Sequence, residues 1–260
     1  MKIVICVKQV PDTSEIKWTE NNTIQREGLE SILNPCDVYA VEFALSVKNK
    51  CPDTKITVIS MGPNQVEKML KKLLALGCDE AILLSDKKFA ASDTYATAKT
   101  LSYAIKNQIS DYDVIVCGQF AIDGDTAQTG PSIANFLQLP QVTYVKELVE
   151  CENKKITVLR EIDDGFEKVR VQLPALVCVS ENTYEPTRAT IGGTIEAYQK
   201  EVKILGCDDI GLEPSMTGLK GSPTYVKKAF RAAQKEVECQ FFDNCEEFAK
   251  RFIISEEENE

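Results

Sequence analysis

The segment GQFAIDGDTAQTGPSIANFLQLP, Gly118 to Pro140, combines two aspartates, several hydroxyls and three glycines with no lysine or arginine. It follows an apolar run, DVIVC, and precedes an amphipathic one, so it reads as a strand-to-helix turn. The helix after it aims its first N–H groups, from about Gln128 to the neighbours of Pro131, back into the turn. Free amides and the helix dipole favour an anion there. Gly124 and Gly130 permit close backbone approach. Thr126, Thr129 and Ser132 add hydroxyl donors. Asp123 and Asp125 would repel a phosphate that they faced; they suit ribose hydroxyls, backbone caps or a cation. The set fits a nucleotide held mostly by main chain. It also fits a plain β-to-α turn with aspartate caps, and composition leaves both readings open. Neither G-x-x-x-x-G-K-[ST] nor G-x-G-x-x-G is present, which disfavours a standard ATPase or dinucleotide dehydrogenase.

The rest of the chain narrows the chemistry further. It has no histidine, which removes Ser-His-Asp and Cys-His catalysis and imidazole bases. An enzyme here must then use carboxylate, lysine, tyrosine or thiol chemistry, or leave the chemistry to a cofactor. Ten cysteines form no C-x-x-C pair, and Cys6, Cys117 and Cys178 lie in apolar runs, as buried thiols do. No metal site is expected. Thirty basic against 40 acidic residues disfavour nucleic acid as a partner. No apolar run reaches the roughly 20 residues that span a bilayer. MKIVICVKQVPD reads as a first core strand of a cytoplasmic protein, not a signal peptide.

These residues need positioning elements. Strands are expected at Lys2 to Val7, Lys55 to Met61, Glu80 to Leu84 and Asp113 to Cys117, with a small hairpin over Glu15 to Gln25. Helices are expected after Asn34-Pro35, after Gly62-Pro63-Asn64, after Ser92 or Asp93, and around Pro131. The alternation βαβαβαβα implies a mainly parallel α/β sheet with helices on both faces, and ligands beyond its strand carboxyl ends. From Gln141, VTYVKELVE, KKITVLREID, EKVRVQLP and ALVCVS read as four strands extending the sheet as an antiparallel meander. After Ser180 the sequence reads as irregular. Two helical stretches follow a long loop, near Tyr225 to Glu238 and Asn244 to Phe252.

AIDGDTAQTGP, Ala121 to Pro131, resembles the nucleotide loop of electron transfer flavoprotein (ETF) β subunits. IVICVKQVPD, IQREGLESILNPCDVYAVEFAL, VISMGP, ALGCDEAILL, LREIDDGFEKVRVQLPALV and NTYEPTRAT resemble further blocks in the same order, from Met1 to about Ala197. The DGDTAQ form, the Val-Pro-Asp turn and Arg-Glu-Gly are most like the electron-bifurcating branch.

The resemblance implies a Rossmann-like fold of the adenine nucleotide α hydrolase-like kind. Residues 1–200 would form the nucleotide domain, with a docking loop at about 181–200. Residues 201–260 would form an arm packing on a flavin-bearing α subunit. It implies FAD in the pocket, with AMP as the alternative, and NAD(H) as substrate. Ferredoxin and a flavin dehydrogenase would be the electron-transfer partners. The matching pocket positions are Cys6, Val7, Asn34, Pro35, Cys36, Asp37, Met61, Gly118, Gln119, Phe120, Ala121, Ile122, Asp123, Gly124, Asp125, Thr126, Ala127, Gln128 and Thr129. Cys6 and Met61 enter through the resemblance alone, as backbone or packing contacts. No side chain is assigned a catalytic role. Arg188 and Ile191 fall in the docking loop, Ile191 near the family's hydrophobic anchor. The family's basic stretch is here Glu196 to Glu201, EAYQKE, and Gly192-Gly193 is expected to loosen the loop. That departure reads either as drift in a surface loop or as a partner other than the usual acyl-CoA dehydrogenase.

Overall fold

Short apolar runs become strands because both faces of each find cover. The computed structural model describes residues 1–12, 31–152, 154–227, 241–242 and 244–249. β1 (Lys2–Cys6) opens the chain, and β2 (Gln9–Pro11) pairs antiparallel with β3 (Ser31–Leu33). The hairpin expected over Glu15 to Gln25 lies outside the described residues. α1 (Pro35–Lys50) starts with proline at its first position, places Asp37 in its first turn and ends with Lys48 and Lys50, as the helix dipole prefers. β4 (Lys55–Met61), α2 (Glu67–Ala75) and β5 (Glu80–Leu84) follow. Asp93 caps α3 (Thr94–Gln108), its carboxylate accepting from the Ala96 amide at 2.9 Å. β6 (Val114–Gly118) leads through the acidic turn into α4 (Thr129–Leu137).

β7 (Gln141–Glu152), β8 (Lys155–Ile162), β9 (Gly165–Gln172) and β10 (Ala175–Val179) come next, then α5 (Ile191–Gln199), β11 (Val202–Leu205) and α6 (Gly218–Gly221). One nine-stranded sheet has the order β11-β5-β4-β1-β6-β10-β7-β8-β9. It is parallel from β11 through β7, and β8 and β9 continue it antiparallel. This is the expected mainly parallel α/β fold with an antiparallel extension.

β1 shows why the sheet is covered twice. Ile3, Ile5 and Val7 pack with α1 and α2 residues such as Phe43 and Leu70, while Val4 and Cys6 pack with α3 and α4 residues such as Ile105 and Ile133. The described cysteines are free thiols. Cys6, Cys117 and Cys178 stand opposite one another on β1, β6 and β10, and burial pushes the Cys178 thiol up to about 12. Among the described residues no helix is long and apolar enough to cross a membrane.

Two expectations need correction. β10 is not the last strand of an antiparallel meander. It inserts parallel between β6 and β7, because all five of its residues are buried and only a central position covers both faces. The chain after Ser180 is not irregular throughout, since α5 forms there. Gly192-Gly193 does not loosen it. A Cβ on Gly193 would run into the Ala75 carbonyl at the end of α2, so Gly193 is the point of close helix approach. Beyond residue 200, β11 pairs with β5 in the main sheet, and Ser222 and Thr224 fasten the following segment to Asp93. Of the two late helical stretches, residues 245–249 are helical and 228–240 lie outside the described residues.

Candidate functional site

The strand order creates a crevice. From β1 the chain moves to β4 and β5 on one side, then returns to place β6 on the other. Loops leaving the carboxyl ends of β1 and β6 therefore diverge, and ligands of open α/β sheets sit at such points. Lys8 follows β1, and the acidic turn follows β6.

The turn is held in place by the start of α1. Asn34 Nδ2 donates to the Phe120 carbonyl at 2.8 Å, and Asn34 Oδ1 accepts from the Ile122 amide at 3.1 Å. One buried side chain thus satisfies both a carbonyl and an amide of a segment that has no strand partner. Asp37 accepts from the Lys8 amide at 2.7 Å and also from the Gly118 amide, joining the ends of β1 and β6. Gln119 Oε1 accepts from the Tyr144 amide at 3.0 Å, tying the turn to β7.

Burial is the main influence on Asp37, and it pushes the carboxyl up to about 7 against the opposing hydrogen bonds from Lys8, Asn34 and Gly118. A carboxyl whose folded pKa lies above its unfolded value contributes stability fully present below the unfolded pKa. That contribution is lost as pH rises through the folded value. The window here runs from about 4 to about 7. Asp37→Asn cannot titrate, so its melting temperature relative to the parent is expected to rise across that window. Thermal unfolding from pH 4.5 to 8.5 checks this; a constant offset would refute it.

The turn presents main-chain donors. Asp125 and Ala127 adopt φ values of 48° and 51°, and the Asp125 amide is bonded to the Ala121 carbonyl at 2.8 Å, so the donors of the turn begin at Thr126. The first amide bond of the helical turn runs from Ser132 to the Gln128 carbonyl, so the amides of Thr129 and Gly130 precede it and Pro131 has none. Lys8 Nζ holds both oxygens of Asp123 at 2.6 and 2.8 Å. That ion pair offsets the Asp123 carboxylate and removes it as a free cation ligand. Thr94, at the start of α3, places its hydroxyl 3.4 Å from that of Thr126. These features suit a phosphate or pyrophosphate bound by backbone.

Comparison with known proteins shows the family of the chain. The model of the electron transfer flavoprotein domain matches residues 21–207. A Thermoanaerobacterium thermosaccharolyticum protein named electron transfer flavoprotein subunit beta is 49% identical over 228 residues, covering 87% of this chain and 86% of that one. The chain belongs to the electron transfer flavoprotein β-subunit family. The caffeyl-CoA reductase-Etf complex subunit CarD of Acetobacterium woodii is 44% identical over 236 residues, covering 90% and 89% of the two chains. Protein FixA of Azorhizobium caulinodans is 38% identical over 263 residues, covering 98% and 93%.

Within this ETF β-family chain the expected pocket positions separate by role. Cys6, Val7, Asn34, Pro35, Cys36, Asp37 and the turn from Gly118 to Thr129 meet at the β1–β6 crevice, with Met61 at the end of β4 beside it. Cys6 and Val7 are buried with their side chains in the core, and the buried Cys36 thiol lies against the Phe120 backbone of the turn. Asn34 and Asp37 are also buried, and their polar atoms face the turn. Gly124, Asp125, Thr126 and Gln128 are exposed on the crevice side of the chain's surface. Lys8 and Thr94 were not among the expected positions. Lys8 had one signal, its place directly after a strand at the switch point.

The expected docking positions lie elsewhere. Arg188 is exposed ahead of α5, and Ile191, 84% exposed, begins that helix. Ile195 and Tyr198 are also exposed, and with Ile191 they recur at helical spacing. The opposite side of α5, Gly193 and Ala197, packs on α2, and Lys71 reaches the carbonyls of Ala197 and Lys200.

Proposed function

We propose that this ETF β-family chain holds the ADP half of an FAD in the β1–β6 crevice. With a flavin-bearing α subunit, it serves electron transfer from NADH by bifurcation, toward ferredoxin and toward a flavin dehydrogenase. The observation that carries the nucleotide reading is the donor set of the turn: backbone amides from Thr126 to Gly130 with no cationic side chain needed. The turn's own geometry fits the group. Gly124 has open space where a side chain would stand, and Asp123 is already neutralised by Lys8. The amides and hydroxyls of Thr126 and Thr129 would hold phosphate, Asp125 would accept from ribose, and the Val7 backbone and Met61 would border the adenine side. FAD would supply hydride acceptance and one-electron release, chemistry that no side chain here provides. The protein's residues bind and orient the group, which accords with the absence of histidine.

The relative named as a subunit of a caffeyl-CoA reductase-Etf complex supports a complex of this kind. The second reading keeps the same pocket but fills it with AMP, leaving flavin to the α subunit. Arg188 and Ile191 would meet the dehydrogenase, and the acidic EAYQKE stretch favours a partner other than the usual acyl-CoA dehydrogenase. Releasing the nucleotides of the purified heterodimer by heat and separating them decides between the readings. Two FAD per heterodimer is the expected result. One FAD and one AMP would replace it with the second reading, and no adenine nucleotide beyond a single FAD would overturn both.

A further inference from the structure

Helix α1 touches more than the nucleotide turn. Past Asn34 and Asp37, the residues Tyr39, Glu42, Phe43 and Ser46 form one face at helical spacing. The chain between β10 and α5 lies along that face. Tyr39 Oη donates to Asn182 Oδ1 at 3.1 Å, and the Tyr184 ring packs edge-on against Phe43 with centroids 6.4 Å apart. Tyr184 Oη also engages Ser46 and accepts from the Leu148 amide at 3.3 Å. The last contact before the docking positions is the strongest. Glu42, only 6% exposed, accepts from the Thr187 amide at 2.6 Å and from the Thr187 hydroxyl at 2.7 Å, one bond to each carboxylate oxygen.

A buried carboxylate is costly unless it is fully hydrogen-bonded, so this two-point grip has one well-defined geometry. Thr187 is adjacent to Arg188, and Thr190, three residues on, caps α5 by accepting from the Gly193 amide at 3.0 Å. Fixing Thr187 therefore fixes where Arg188 emerges and where α5 begins.

We propose that Glu42 is a positioning residue: by gripping Thr187 from the same helix that braces the nucleotide turn, it sets the docking segment that presents Arg188 and Ile191. This rests on the reading of that segment as the partner contact. Glu42 touches neither nucleotide nor partner; it acts through Thr187.

Hydrogen–deuterium exchange of the full chain, purified with its α subunit, tests the grip without needing the dehydrogenase. Glu42→Gln and Thr187→Val are each expected to speed exchange of the peptide covering residues 182–190 by roughly tenfold, the scale of one lost charge-assisted bond. Thr187→Ser keeps both donors and is expected to restore the parent rate, which a merely structural loss of bulk would not do. Bound nucleotide and exchange across residues 35–50 should stay at parent levels in the threonine variants. Parent-like exchange in both Glu42→Gln and Thr187→Val would overturn the proposal, as would failure of Thr187→Ser to rescue. Ile191→Arg separates the two ideas: it should leave exchange over residues 182–190 unchanged. If it also left dehydrogenase binding unchanged, the docking reading would fail while the grip stood.

Discussion

Gly118→Ala is expected to lower stability by about 3 kcal/mol and to empty the nucleotide site, because the added methyl has nowhere to go. A Cβ at Gly118 would run into Asp37 Oδ1, and would lie 2.8 Å from the Cys36 carbonyl carbon and 2.9 Å from the Asp37 amide. Two of those atoms are backbone of the first turn of α1, which cannot swing aside as a side chain would. Gly118 cannot retreat either, since it pairs with Val179 across β6 and β10. The strain would separate α1 from β6 where Asp37 joins the two strand ends. Gly124→Ala is the control: nothing lies within 4 Å of its Cβ, and a change within about 0.5 kcal/mol is expected. Urea unfolding of both variants, with nucleotide content of the purified protein, reads the difference. Equal stability of the two variants would show that α1 does not abut β6 as described.

This close contact was invisible in the sequence, although its components were legible. DVIVC and the helix signal at Asn34-Pro35 were both clear from local pattern, because strand and helix periods differ and Pro marks a helix start. The approach of one to the other depends on sheet order, which no local pattern encodes. The same division runs through the fold. β1, β4, β5 and β6 and the helices between them follow from apolar spacing. β10 carried the right signal, a continuous apolar run suited to a parallel strand, but it follows two antiparallel hairpins in the chain. Its insertion between β6 and β7 is decided by long-range pairing. α5 lacked the signal: IGGTIEAYQ has two glycines and β-branched residues, all poor helix formers. Tertiary contact offsets that, through the Thr190 cap and the seat of Gly193 against α2.

The candidate site divides in the same way. The anion-binding character of the turn was legible, since glycines, hydroxyls and a helix start occur together in one short stretch. Lys8 and Asp123 are 115 residues apart, and Glu42 and Thr187 are 145 apart. In sequence Glu42 is one more charge on an amphipathic helix, for which a solvated face is the ordinary reading. Only packing shows that it is buried and bonded.

Asn34→Ala is the second large effect expected. The side chain supplies both partners of one short stretch of main chain, the Phe120 carbonyl and the Ile122 amide. Truncation leaves two backbone groups without partners beside a buried helix start, at about 1–3 kcal/mol for each that water does not reach. The penalty falls on the turn, not on the sheet, because β6 keeps its pairing with β1 and β10. Global stability should therefore fall by less than the local loss, while the turn samples conformations in which its amides no longer converge. A site competent in only a small fraction of molecules binds more weakly by that fraction. An affinity loss on the order of a hundredfold corresponds to about 2.7 kcal/mol spent on ordering the turn. Titration of the nucleotide-free chain with ADP measures it by calorimetry. Asn34→Asp sharpens the test: it retains an acceptor for Ile122 but loses the donor to Phe120 and sets a second carboxylate beside Asp37, which itself bonds to Asn34. Affinity within twofold of the parent in both variants would mean that the turn holds its shape without α1, and the bracing assigned to Asn34 would be wrong.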